Sequence, residues 1–122
     1  MKRWVDMCKR CGVAYFEMSH LFTQWGARYA PKVEAIVDGR RVKLFGWKTW
    51  AASNKYTEFL TEFAKALNVF IAENGIEDRC FFHVSDEPSI GQYKAYKKRS
   101  QLVEKLFPGF PVVDALSDFK FY

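Results

Sequence analysis

The sequence has few cysteines, and the three present do not form a set. Cys8 and Cys11 make one C-x-x-C, "CKRC", with no matching second half, and Cys80 stands alone. The pair lies on a helical pattern and not at a strand end, which points away from zinc and redox chemistry. No ligand-spaced group of His, Cys and Asp implies a metal, and no cofactor is called for. Unpaired thiols suit a reducing compartment, so a cytoplasmic location is expected. Long apolar runs are also missing. The N-terminal "MKRWVDMCKRCGV" is not a signal peptide, and nothing reaches transmembrane length, so no membrane partner is expected. A strong charge of one sign is absent too: 19 basic against 14 acidic residues leave a net +5. The densest basic run, "YKAYKKRS" at 93–100, falls inside a helical pattern and reads as a solvated face; a nucleic-acid partner is not expected. There is no internal repeat and no low-complexity tract.

What the chain does have is aromatic and apolar side chains. With 122 residues, 49% hydrophobic and 18% aromatic, it is one domain's worth of sequence with material for a packed core. Most of the rings belong in that core. Aromatic faces also stack on the C–H faces of pyranose rings, so some are candidates for a sugar-binding cleft.

Trp4, Met7, Cys8 and Cys11 recur at helical spacing, with Gly12 as a stop. Residues 13–19 read as a buried strand. A long connection follows and carries a hairpin over 34–45, where Asp38-Gly39 suits a type I′ turn. Residues 55–74 and 89–107 keep the helical period; Ser53 or Asn54 can cap the first helix and Asn74-Gly75 can end it. Residues 79–85 and 111–116 read as further strands. Strands alternating with helices predict an α/β fold with a parallel sheet.

Each strand finishes in polar groups: Glu17, Ser19 and His20; His83, Ser85, Asp86 and Glu87; Asp114, Ser117 and Asp118. Ligand sites of parallel α/β folds lie beyond the carboxyl ends of the strands, so the three clusters converge on one face. Pro88 biases Glu87 towards an extended backbone. Two carboxylates in different environments can hold different protonation states, which glycoside cleavage uses. The same segment also suits a cap for the next helix, with Ser89 as N-cap or the acids near its positive end, and the motif alone does not choose. His83, inside its strand, reads as a core histidine; Asp114 also reads as a structural acid bonded to backbone. Trp25, Trp47 and Trp50 also read as loop packing; Trp25 and Trp47, in the loop above the strand ends, are the candidates for sugar platforms.

Three blocks, "EMSHLFTQWGARYAPKVEAIVDGRRVKLFGW", "FFHVSDEPS" and "DALSDFKFY", together resemble the catalytic domain of glycoside hydrolase family 123-like proteins, once known as domain of unknown function 4091. The resemblance runs from about Val13 to Tyr122. It implies a (β/α)8 barrel and retaining cleavage of a β-linked N-acetylgalactosaminide, with the sugar's own acetamido oxygen as nucleophile. It further implies that Glu87 is the general acid/base, that Asp86 orients the acetamido group, and that His20, Trp25, Trp47, Asp114 and Tyr122 contact sugar.

A barrel of this kind needs ~250 residues. The expectation is therefore a partial barrel of about three strands with an inserted hairpin, its open edges met by the remainder of the barrel or by self-association. The alternative function is a non-catalytic carbohydrate-binding or inactive fragment.

Overall fold

The longest element, α2 (Asn54–Glu73), shows why its sequence folds as it does. Ser53 sits in extended backbone and its side chain accepts the Tyr56 N–H at 3.4 Å, capping the helix. Tyr56, Leu60, Ala64, Leu67 and Ile71 fall on one stripe and are buried. Gly75 adopts φ +57, and the Asn74 N–H returns to the Phe70 carbonyl, which closes the last turn. The Tyr56 hydroxyl donates to the Leu21 carbonyl, tying the helix to the loop that carries His20 and Trp25.

A computed structural model describes residues 1–116 and 118–121. In chain order the elements are α1 (Lys2–Arg10), β1 (Phe16–Glu17), β2 (Val33–Val37), β3 (Arg40–Phe45), α2, β4 (Cys80–Phe81) and α3 (Tyr93–Leu106), with short 3₁₀ turns at Glu77–Arg79, Ile90–Gln92 and Phe119–Phe121. The result is a mixed α/β fold with three helices, a small parallel sheet and an antiparallel hairpin among the described residues. No helix among them is long and apolar enough to cross a membrane.

β1 pairs in parallel with β4 through Phe16↔Cys80 and Glu17↔Phe81, and a parallel bridge joins Phe82 to Val112. Three chain segments thus lie side by side, with 80–82 in the middle. Regular ladder is much shorter than the strands read over 13–19, 79–85 and 111–116. The reason is visible at the second strand's end. The Val84 and Ser85 N–H groups, which would extend the ladder, donate to the Asp114 carboxylate instead, at 2.9 and 3.3 Å. A side chain ends the pairing and turns the strand end into a polar face.

The hairpin forms around Asp38 and Gly39, both at positive φ (+50 and +75), with Val37 opposite Arg40. α1 differs from its sequence pattern. Val5 and Cys8 are its buried residues, while Trp4, Met7 and Cys11 are exposed, so the buried face is rotated from the one read. Trp4 still lays its ring edge-on against Phe16, 5.4 Å between centroids. In α3 the basic run loses one member to the interior. Arg99 is half-buried, donates to the Ala51 carbonyl at 3.1 Å and lies over the Phe22 ring; burial pushes its ionisation down. Lys94, Lys97 and Lys98 stay exposed.

Candidate active site

Beyond Phe82 the chain runs through His83, Val84 and Ser85, all buried, into Asp86 and Glu87. Ser85 fixes the neighbouring loop. Its hydroxyl donates to the Thr23 carbonyl at 3.1 Å and accepts the Gly26 N–H at 3.2 Å. The Trp25 N–H donates to the Asp86 carbonyl at 3.2 Å, and the Glu87 N–H to the Ala115 carbonyl at 2.9 Å. The acid pair is therefore anchored by its backbone from both flanking segments, leaving the carboxylates for other partners.

These bonds overrule the local expectation for Glu87. Its φ is +45, a left-handed conformation, where Pro88 favours an extended one. Trp25 (+59) and Ala27 (+55), flanking Gly26 (+90), are left-handed as well. Non-glycine residues in this region cost on the order of 1–3 kcal/mol each and concentrate at functional sites. Gly26 is obligatory for a second reason: a Cβ there would lie 2.6 Å from the Gln92 Cβ.

Capping of the following turn is assigned elsewhere. The Gln92 Oε1 accepts the Ser89 N–H at 2.9 Å, and Asp118 Oδ2 accepts the Ile90 N–H at 3.3 Å. Among the described residues, neither the Asp86 nor the Glu87 carboxylate bonds to that turn. Of the two readings of "DEPS", Ser89 takes the cap and the acids do not.

The Asp86 carboxylate instead faces His20, with Oδ2 3.9 Å from Nδ1. The His20 ring lies against that of His83, tilted by 31° with 4.7 Å between ring centroids. His83 lies between two carboxylates: its Nε2 is 3.0 Å from Glu17 Oε1, and its Nδ1 is 3.4 Å from Asp114 Oδ1. The Nδ1 is buried without a hydrogen bond of good geometry. Asp114 is enclosed, its side chain 2% exposed, and its carboxylate also accepts the Tyr96 hydroxyl at 2.7 Å. Burial, then that hydrogen bond, push the Tyr96 phenol above its ordinary range and keep it a donor. Asp114 thus works on the backbone of the strand end and on Tyr96, the structural-acid reading of its sequence position.

Two groups have the donor types of a metal site, Glu17–His20–His83 and His83–Asp86–Asp114, their ligand atoms within 4.8 Å of one another. Spacing along the chain finds neither, because the members come from different strands. In the second group the Asp114 oxygens already accept three donors, the Val84 and Ser85 N–H groups and the Tyr96 hydroxyl, so that carboxylate is engaged within the protein.

Beside these side chains is a cleft of about 730 Å³ whose walls include His20, Trp25, Arg28, Tyr29, Trp47 and Gln92. Both tryptophans present large open faces; Trp25 is 63% and Trp47 74% exposed. Tyr122 lies outside the described residues, as does Ser117. The sequence places Glu17, His20, His83, Asp86 and Asp114 on one face of converging strand ends; Tyr96 beside Asp114, and Arg28 and Gln92 as cleft walls, were missed. Only Gln92 carried a local signal, the S-x-x-Q spacing from Ser89.

An acid pair at the end of a parallel strand, beside an aromatic-walled cleft, is the equipment of a carbohydrate-active enzyme. The family model described as "Glycoside hydrolase 123, catalytic domain" matches residues 1–122, and the chain belongs to that family of glycoside hydrolase catalytic domains. No curated protein matches the chain.

Proposed function

We propose that this domain cleaves β-linked 2-acetamido sugars of the N-acetylgalactosaminide kind, with retention, by substrate-assisted catalysis. Glu87 protonates the glycosidic oxygen as the bond to the anomeric carbon breaks. The acetamido carbonyl oxygen attacks that carbon, giving an oxazolinium ion. Asp86 accepts the acetamido N–H and balances the positive charge. Water, deprotonated by Glu87, then opens the ring and restores the starting state. No enzyme nucleophile is required, so two adjacent acids suffice without the carboxylate separations of the ordinary mechanisms. The strand ends supply part of a (β/α)8 barrel in this reading, and the open sheet edges pair with the rest of it.

The observation that carries the reading is the anchoring of Asp86 and Glu87. Their backbone is bonded to the Trp25 loop and to Ala115, with Glu87 held left-handed, while the helix cap is left to Ser89 and Gln92. Strain kept at one acid of a pair, beside exposed tryptophans, supports a role for that pair in chemistry.

The test is turnover of an alkyl β-N-acetylgalactosaminide, whose leaving group needs protonation, by Glu87→Gln. Loss of about 10²–10⁴ in kcat with an unchanged melting temperature is expected. Undiminished turnover removes Glu87 as the acid.

A further inference from the structure

A second cleft, of about 400 Å³, adjoins the first, and Trp47 is a wall of both. Its character is different. Lys32, Lys43 and Lys48 surround it, with Leu44 and Thr49. Lys32 is neutralised by Glu34 at 2.8 Å. The other two are not: among the described residues, neither Lys43 nor Lys48 has a carboxylate within ion-pairing distance.

Lys43 is placed with some specificity. Its partner across the hairpin is Glu34, yet the Glu34 carboxylate is taken by Lys32 and by Arg41, at 2.8 and 3.3 Å. The Lys43 side chain folds over Gly46 instead. A Cβ at residue 46 would lie 2.6 Å from the Lys43 Cε and 2.9 Å from its Nζ. The bare glycine is the seat on which the ammonium rests. Lys48 and Trp47 occupy the middle of a turn closed by the Thr49 N–H on the Gly46 carbonyl (2.7 Å) and the Gly46 N–H on Thr49 Oγ1 (3.2 Å). The end of β3 and the short turn after it therefore present a stacking face to the first cleft and two uncompensated cations, Lys43 from the strand and Lys48 from the turn, to the second.

We propose that this second cleft is a subsite for an anionic group, a hexuronate carboxylate or a sulfate ester, on the sugar adjoining the 2-acetamido sugar stacked against Trp25 and Trp47. The proposal rests on the function proposed above and narrows its substrate to acidic glycans.

The test uses the full chain and three β-linked disaccharides with N-acetylgalactosamine at the non-reducing end. The second sugar is galactose, glucuronic acid or galactose 6-sulfate. Binding to Glu87→Gln is measured by calorimetry, in low and in high salt. At low salt the anionic pair is expected to bind about three- to tenfold more tightly than the neutral one, the scale of two exposed charge contacts. That advantage disappears in high salt. It also disappears in Lys43→Ala/Lys48→Ala, which leaves the neutral disaccharide's affinity unchanged. Gly46→Ala, which displaces Lys43 only, removes part of it. Whichever anionic probe binds more tightly identifies the source of the charge. Equal affinity for all three probes overturns the subsite and leaves the proposed function standing. Binding of none of them overturns both.

Discussion

The Trp25 N–H donates to the Asp86 carbonyl across 3.2 Å, so a wall of the cleft and the acid pair form one hydrogen-bonded unit. The link is made by backbone, and the indole is free of it. Trp25→Ala is therefore expected to leave Asp86 in place and the fold intact, because the ring is 63% exposed. What it removes is stacking area, so KM for a 2-acetamido glycoside rises about tenfold while the melting temperature holds. Trp47→Ala behaves likewise. A large loss of stability in either variant would show that the rings are packing and not platform.

Gly26 answers differently. Its N–H binds Ser85 Oγ, its φ is +90, and a Cβ there would meet Gln92. Gly26→Ala is expected to lower stability by about 1–3 kcal/mol and to reduce turnover as well, since Gln92 is itself a cleft wall. Urea denaturation and kinetics on the same preparation check both.

Strain at Glu87 gives a prediction of opposite sign. Glycine adopts φ +45 without the steric cost borne by glutamate. Glu87→Gly is expected to raise folding stability by about 1 kcal/mol while eliminating turnover. A destabilised variant would show that the left-handed backbone is not strained.

Tyr96→Phe removes one donor from Asp114 and leaves the two backbone donors. A loss of about 1–2 kcal/mol is expected. Asp114→Ala strips the Val84 and Ser85 N–H groups of their acceptor in a buried setting, so its loss is larger, at least ~3 kcal/mol. Chemical denaturation of the two variants orders them.

Cys80 sets an alkaline limit. Burial, then the charges of Glu77 and Asp78, push its thiol from 9.0 up to about 11. The unfolded chain releases this proton first, so the thiol's stabilising effect is complete below pH 9 and is lost as pH rises through about 11. Between those limits the wild type is expected to lose ~1–2 kcal/mol more than Cys80→Ser, whose hydroxyl does not titrate there. Parallel pH curves for the two proteins would contradict it.

Some of this architecture is legible in the sequence. The helical period over 55–74 and the Asp38-Gly39 turn are local patterns, and local patterns set α2 and the hairpin, although the buried stripe of α2 takes in Tyr56 and Ala64 and leaves Phe63 exposed. The convergence of polar strand ends follows from the parallel pairing of 16–17, 80–81 and 112. What the sequence hides is long-range. Glu17, His83 and Asp114 are marked in the sequence as polar strand ends, but that the His83 ring sits between the two carboxylates is seen only when three segments align them. The rule for residues before proline fails at Glu87 because backbone bonds from distant segments hold both acids. On α1, periodicity identifies the helix but not which side meets the core; Val5 and Cys8 do, and Cys11 does not.

The central claim is that Asp86 and Glu87 assemble a site for the oxazolinium ion. Its most direct test is a thermal melt of the full chain with the thiazoline derived from N-acetylgalactosamine, a stable mimic of that ion. At a concentration one hundred times Kd, binding to the folded state alone contributes about 2.7 kcal/mol. The expected result is a melting temperature raised by several degrees in the wild type and unchanged in Asp86→Asn. A cooperative melt that the thiazoline does not move, or moves equally in both proteins, would contradict the claim.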